Sequence, residues 1–215
     1  MEYWNNRFSE KGKIWGIEPS KTAFYALKLF KKHEITTILI PGAGYGRHTK
    51  LFSKNNYQVT GIEISEEGLN IAREFDTKSN FILGSVLDMP FSSEIYDAIF
   101  CYNLLHLLLR NERVLFIDKC YRQLKNNGFA FFSVFSDKEN SYGKGNLIEE
   151  NTFESKPYRP THYFSEQDLI EHFKSFTVIE TDIIEENENH GDLGPHTHKL
   201  RYIFAKKKEK NSKSK

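Results

Sequence analysis

The sequence predicts a doubly wound α/β domain: a seven-stranded sheet, mostly parallel, closed by an antiparallel C-terminal hairpin. Three observations carry that prediction. Short β-branched and aromatic runs alternate with stretches of 3.6-residue apolar periodicity from residue 37 to residue 135. The run Ala98-Ile99-Phe100-Cys101-Tyr102 is apolar without a break, the pattern of a strand covered on both faces. The first strand, 37–40, leads straight to Gly42-Ala43-Gly44-Tyr45-Gly46, where backbone must turn tightly and leave room for a ligand. At 215 residues the chain suits one domain, on a prior of about 150 residues each.

Residues 1–19 hold Tyr3, Trp4, Phe8, Trp15 and Gly16 among polar neighbours with little periodicity, so a segment lying across a surface is expected. Ser20 is a good N-cap for a helix whose apolar face is Phe24, Leu27, Leu29 and Phe30. After the glycine turn, 47–54 carries Leu51 and Phe52 at helical spacing, and 59–64 is a second strand with Glu63 at its end. Leu69, Ile71, Ala72 and Phe75 mark a helix over 66–75, and 81–83 is a third strand. Tyr96-Asp97 leads into the fourth. Asn111 is placed to cap a helix with Val114, Leu115, Ile117, Cys120, Tyr121 and Leu124 on one face. Asn126-Asn127-Gly128 supplies a left-handed stop before a fifth strand, 129–135.

The stretch 136–164 carries Gly143, Gly145, Pro157 and Pro160 and no strong periodicity. Loops above about 15 residues in compact domains are usually functional lids or disordered segments. This one leaves the C-terminal end of a central strand, on the rim where open α/β sheets bind ligands, so it is expected to be a substrate lid. Ser165 caps a helix with Asp168 three residues on and Leu169, Ile170, Phe173 and Phe176 buried. Residues 177–184 and 199–205 alternate as the closing hairpin. The expected organisation is one domain over 1–206, with an N-terminal cap segment and helix at 1–35, the lid at 136–164, and a lysine-rich disordered tail at 207–215.

Composition narrows the class. Hydrophobic residues make up 39% of the chain, including 18 Phe and 11 Tyr, enough for a sizeable core. No run of about 18 apolar residues exists, so no membrane span or membrane partner is expected. The polar N-terminus lacks an apolar signal core. Cys101 and Cys120 both lie in apolar patterns and read as reduced core thiols, which suits a cytoplasmic protein. Six lysines and one glutamate at 206–215 carry +5 of a net charge of +1, leaving −4 on the body. Such a body is a poor electrostatic platform for nucleic acid.

The glycine spacing narrows the ligand. The dinucleotide fingerprint G-x-G-x-x-G would place its third glycine at position 47, which is Arg47; here it is Gly46. Glu63 ends the next strand, where an acid accepts hydrogen bonds from ribose hydroxyls. Gly84-Ser85-Val86-Leu87-Asp88-Met89-Pro90-Phe91 follows the third strand. In this order, with Tyr96-Asp97 and the helix end Leu124-Lys125-Asn126-Asn127-Gly128, the motifs resemble those of the class I S-adenosylmethionine-dependent methyltransferases. The resemblance is good over 37–135 and loose elsewhere.

That resemblance implies a Rossmann-like fold, S-adenosyl-L-methionine as cofactor and S-adenosyl-L-homocysteine as product. It implies a cofactor site at Trp15, Gly42, Ala43, Gly44, Gly46, Glu63, Ile64, Ser85, Val86, Leu87 and Asn103. Within it, Ser85, Val86 and Leu87 would cradle adenine, and Asn103 would flank the methionine part. Ser85 stands where the family usually has an acid, and Ile40 where an acid commonly precedes the first glycine by two residues. Ile40-Pro41-Gly42 with Gly61-Ile62-Glu63-Ile64-Ser65 resembles the thiopurine and thiol branch. Gly46-Arg47 and Lys199-Leu200-Arg201-Tyr202 resemble the tellurite-resistance branch. Both branches imply a small acceptor, including soft sulfur, selenium or tellurium nucleophiles, and a monomer or homodimer.

The acceptor pocket is expected from Tyr3, Tyr142, Arg159, Tyr163, His196, His198 and Arg201. Trp15 and Tyr3 read equally as aromatics that staple the N-terminus to the core. A soft nucleophile needs little base catalysis, whereas a hydroxyl or ammonium acceptor needs a base near working pH, a role that suits histidine. His106, after the cofactor-facing loop, and His162, in the lid, are the catalytic candidates; a packed histidine with no chemical role is the other account of His106. His-x-His at 196–198 puts two rings on one face of an extended segment and with His190 has metal-ligand character, but an exposed histidine loop is commoner and no metal is assigned. Nucleic-acid amino-methyltransferases carry D/N-P-P-Y/F where this chain has Asn103-Leu104-Leu105-His106. A non-catalytic cofactor-binding or scaffold protein and a NAD(P)-binding reductase remain as rival readings, the latter against the glycine spacing.

Overall fold

Residues 2–189 and 194–208 are described by the computed structural model. Helices α1 (Glu2–Lys11) and α2 (Lys21–Phe30) precede β1 (Thr37–Pro41), α3 (Arg47–Lys54), β2 (Gln58–Glu63), α4 (Glu66–Phe75), β3 (Asn80–Leu83), β4 (Tyr96–Tyr102), α5 (Arg110–Gln123) and β5 (Leu124–Phe135). Three short strands follow, β6 (Asn146–Glu149), β7 (Thr152–Glu154) and β8 (Thr161–His162), then α6 (Glu166–His172), β9 (Phe176–Asn189) and β10 (Pro195–Lys207). The main sheet runs β3-β2-β1-β4-β5-β10-β9, parallel from β3 to β5, with β10 antiparallel to both β5 and β9. This is the predicted seven-stranded sheet with its antiparallel C-terminal hairpin.

The central strands β1 and β4 and the 129–135 part of β5 are mostly apolar because both faces are covered. Ile38 and Ile40 of β1, Ala98 and Phe100 of β4 and Phe131 of β5 join a core with Ala23, Leu27 and Phe30 of α2 and Leu51 and Phe52 of α3. Leu39, Ile99, Cys101, Ala130 and Phe132 point the other way, onto Phe116, Ile117 and Cys120 of α5 and Leu169 of α6. Cys101 and Cys120 are both buried free thiols, and burial pushes both pKa values up. Asp97 ties the N-terminal end of β1 to β4, accepting hydrogen bonds from the backbone and hydroxyls of Thr36 and Thr37 and from Lys125 Nζ. No described helix is long and apolar enough to cross a membrane.

Several local expectations are corrected. Residues 2–11 form a helix, because Trp4 and Phe8 stand one turn apart and share a packed face. Phe24, Val114 and Leu115 are exposed; in α5 it is Arg113, Phe116, Ile117 and Cys120, three and four residues apart from one another, that form the buried face. The α5 N-cap is Leu109, not Asn111, and Glu112 reaches back to the Leu109 N–H at 2.8 Å. Asn127 of the Asn126-Asn127-Gly128 triplet does take the left-handed backbone, with φ 62°, but the triplet and Leu124 lie in β5 rather than at the end of α5. Residues 136–164 carry an antiparallel sheet in the order β6-β7-β8 rather than structureless chain. The hairpin extends to Asn189 and Pro195, and Lys206 and Lys207 belong to β10, where the tail was expected to have started. His190 and the tail residues 209–215 lie outside the described residues.

Candidate active site

The C-terminal ends of β1, β2, β3 and β4 meet around the glycine loop. Gly42, at the end of β1, has φ +68°, and a Cβ there would lie 3.1 Å from Leu104 Cδ2 beyond β4. Gly46 is the N-cap of α3 with φ +85° and leaves room for Ala72 of α4, 3.3 Å from its missing Cβ. The loop is fixed to β2 through the Ala43 N–H, which donates to Ile62 O at 2.9 Å.

Glu63, 5% exposed, presents its carboxylate to this loop. Oε2 accepts from the Gly44 N–H at 2.8 Å and Oε1 from the Ser65 N–H at 2.9 Å. Burial raises its pKa, and these backbone donors oppose the rise without cancelling it. The Gly84 N–H donates to Glu63 O at 2.9 Å, joining the end of β3 to that of β2. Ser85 then opens a 3-10 turn by accepting from the Leu87 N–H. Val86 turns its side chain into the core beside Ile62, with Leu87 packed against the same cluster, and Ile64 is half-buried. Asn103, with φ 51°, ends β4; its N–H donates to Ser133 O and its Oδ1 accepts from the Ser133 hydroxyl.

The N-terminal residues cover this cradle. Phe8 is buried; its ring tip Cζ lies 3.7 Å from the position of a Gly44 Cβ and its ring edge Cδ2 2.8 Å from that of Gly68. Asn5 Oδ1 accepts from the Ser65 hydroxyl at 2.7 Å. Trp15 stacks on Tyr45, ring centroids 6.0 Å apart, and its N–H donates to the Tyr45 hydroxyl, which donates in turn to Gly16 O. Burial pushes the Tyr45 pKa up to about 12, so the phenol stays protonated as that donor. Arg47 reaches over from α3, donating to Trp15 O at 2.9 Å and pairing with Glu188 at 3.6 Å. Trp15, Gly16, Arg47 and Glu188, with Glu18, Pro19, Ser20, Glu186 and Asn187, line a cavity of about 310 Å³. Asn5 escaped the sequence reading, and Phe8 and Arg47 were named there without a place in the site; for the N-terminal residues the 3–4 spacing of Tyr3, Trp4, Arg7 and Phe8 was the available signal.

The histidine candidates sit beyond β4 and β5. His106 is 2% exposed, its ring stacked on Phe135 at 4.3 Å, and its Nδ1 accepts from the Phe135 N–H at 3.4 Å. Burial holds its pKa well down, and the charge of Arg159 pushes the same way. His198 stacks on Phe135 at 4.9 Å and pairs with Glu139 at 2.7 Å, while His196 Nε2 lies 3.1 Å from His198 Nε2. His162 is held at both nitrogens: Nδ1 lies 2.8 Å from the Thr152 hydroxyl and Nε2 2.7 Å from Asp168 Oδ2. The acid can only accept, so neutral His162 donates to Asp168 and accepts from Thr152. Burial lowers the His162 pKa more than Asp168 raises it.

The remaining pocket candidates divide into separate groups. Arg201 is buried against Phe164 O and Asp137. Tyr142 and Tyr163 form a ring cluster with Phe153, their hydroxyls bonded to Asn151 and Ser141. Arg159 reaches Tyr3 and Trp4 of α1. No group of three or more His, Cys, Asp or Glu able to hold a metal occurs among the described residues.

Comparison with known proteins matches residues 39–132 to a family described as a methyltransferase domain. The chain is 31% identical over 144 residues to the ubiquinone biosynthesis O-methyltransferase of Hydrogenovibrio crunogenus, a match covering 65% of this chain and 58% of that one. The chain therefore spans under two thirds of that relative's length. Among solved structures, one described by the conversion of a disulfide bond into a thioacetal group during echinomycin biosynthesis superposes with TM-score 0.78 at 17% identity, covering 98% of this chain and 93% of the other. TehB from Haemophilus influenzae superposes with TM-score 0.67 at 18% identity, covering 95% and 67%. The glycine loop, the strand-end acid and the segment similar to that methyltransferase-domain family thus lie in one continuous stretch of the chain.

Proposed function

We propose that this chain transfers a methyl group from S-adenosylmethionine to a small-molecule acceptor whose nucleophile is soft, of the sulfur, selenium or tellurium class. The observation that carries the reading is the Glu63 carboxylate, buried at the end of β2 and facing the Gly42-Ala43-Gly44 turn. The residues present fit the cofactor. A desolvated carboxylate is a strong acceptor for ribose hydroxyls, and the space over Gly42 admits a ligand where any Cβ would crowd Leu104. Backbone at Ser85 and Val86 would meet the adenine edge, and Asn103 the amino-acid end. Bound there, the cofactor would supply a methyl group activated by its sulfonium charge, open to in-line displacement by the acceptor with the thioether as leaving group.

The protein's contribution is orientation and exclusion of water. Phe8, Trp15 and Tyr45 form the apolar cover, and Arg47 anchors it by holding Trp15 O. The soft acceptor is favoured by the state of the histidines. Both ring nitrogens of His162 are engaged, and His106 is stacked, buried and held neutral. A thiol needs neither, because its proton goes to solvent before the thiolate attacks.

The test is calorimetry with S-adenosylhomocysteine and with NAD, followed by an acceptor panel of thiols, selenite, tellurite, amines and phenols. Product binding without NAD binding, and turnover confined to the soft acceptors, is the expected result. Binding of neither ligand sinks the reading. Product binding with no acceptor methylated favours the non-catalytic alternative.

A further inference from the structure

Two guanidinium groups converge where α1 meets the 136–164 segment. Arg7 Nη1 donates to the Tyr3 hydroxyl at 3.5 Å, and Arg159 Nη1 donates to the same oxygen at 3.3 Å. The guanidinium carbon of Arg159 also lies 5.9 Å from the Tyr3 ring centroid and 5.7 Å from that of Trp4. Neither arginine forms a salt bridge with a carboxylate among the described residues. Their Nε atoms are the buried side-chain polar atoms left without a hydrogen-bond partner among those residues.

This arrangement is unfavourable as a structural staple. Two like charges share one neutral acceptor, and two buried donors go unmade, each of which costs free energy. An anion between them would take both Nε–H groups and neutralise both charges, and a planar carboxylate matches the guanidinium fork. The location is also informative. Trp4 stacks on Phe8, which covers Gly44, while the charge of Arg159 is felt by His106 at the end of β4. The seam therefore spans the cofactor cradle and the acceptor side of the sheet.

We infer that Arg7 and Arg159 form a clamp for an anionic group on the acceptor, so that the favoured substrate is a small soft nucleophile carrying a carboxylate. This rests on the methyltransferase reading and narrows it to a substrate class. Arg7 is a binding residue that the sequence did not single out.

The experiment compares mercaptoacetate, 2-mercaptoethanol and cysteamine, three small thiols that differ in charge. Each is titrated onto the full chain with S-adenosylhomocysteine present. Binding is read by calorimetry and by fluorescence of the two tryptophans, Trp4 and Trp15, both of which flank the site. The clamp predicts that mercaptoacetate binds about tenfold or more tighter than the neutral thiol, with cysteamine weakest. In Arg7→Gln and Arg159→Gln that anionic-to-neutral ratio falls toward one. Equal affinity of the wild type for all three thiols, no binding of mercaptoacetate at millimolar concentration, or a ratio preserved in both variants overturns the inference. S-adenosylhomocysteine binding is measured in parallel. Its absence defeats the underlying reading, whereas its presence without anion preference defeats the clamp alone.

Discussion

Glu63 Oε2 accepts a hydrogen bond from the Gly44 N–H at 2.8 Å, so the acid that would hold the ribose also braces the turn that would lie under it. Substitution at this position reads both jobs. Glu63→Gln keeps the shape and removes the charge, and hydrogen bonds to charged groups contribute about 1.5–3 kcal/mol. S-adenosylhomocysteine affinity should fall about tenfold or more by calorimetry. Affinity within a factor of two of wild type would remove Glu63 from the site.

His106 offers a direct test of the base-free mechanism. General base catalysis contributes about 10²–10⁴-fold. A histidine stacked on Phe135 and held neutral by burial has a packing role instead. With a thiol acceptor at saturating concentration, kcat of His106→Gln should stay within about threefold of wild type. A drop of a hundredfold, with a pH profile that loses its acidic limb, would return His106 to the chemistry.

The buried histidines also set a pH dependence of stability. His48, His106 and His162 all have pKa values lowered by burial, so the unfolded chain binds protons more readily than the folded one. Stability contributed this way is fully present above the unfolded histidine pKa of about 6.5 and is lost as pH falls below it. Urea midpoints should therefore decline from pH 7.5 to pH 5.5, and His162→Gln should flatten the decline. An unchanged slope in that variant would mean that His162 titrates normally in the folded chain.

The central architecture was legible because each strand of a parallel sheet is buried on both faces and writes a continuous apolar run, as 98–102 does. The cradle was legible for a related reason: Gly42 and Gly46 stand where a side chain would meet Leu104 or Ala72, and Glu63 closes a strand. The N-terminal cap segment was expected, but its helix was not. Trp4 and Phe8 occupy one face of a helix only ten residues long, too short for periodicity to stand out among polar neighbours. The pairings Arg7–Tyr3–Arg159 and Thr152–His162–Asp168 were beyond reach, since they join residues whose proximity depends on how 136–164 folds back. Cap identity failed at Asn111 because the first backbone donors are met by other side chains: Glu112 accepts from the Leu109 N–H and Glu149 from the Arg110 N–H.

Gly61 links strand packing to the cradle. It lies in β2 opposite Ile40 of β1 and Phe81 of β3, and a Cβ there would sit 2.8 Å from Ala43 Cβ and 3.0 Å from the Phe81 ring. The Phe81 ring is half-buried and can tilt, but Ala43 is held by its N–H bond to Ile62 O and cannot retreat without moving the glycine turn. Overpacking of this kind costs about 1–3 kcal/mol. In a chain of this size that lowers Tm by roughly 2–4 °C per kcal/mol. Gly61→Ala should therefore lower Tm by several degrees and weaken S-adenosylhomocysteine binding together. Because the two Cβ atoms are the source of the clash, Ala43→Gly should rescue both losses in the double variant, a non-additivity expected of residues in contact. Additive effects of the two substitutions would show that Phe81, not Ala43, is what excludes a side chain at position 61.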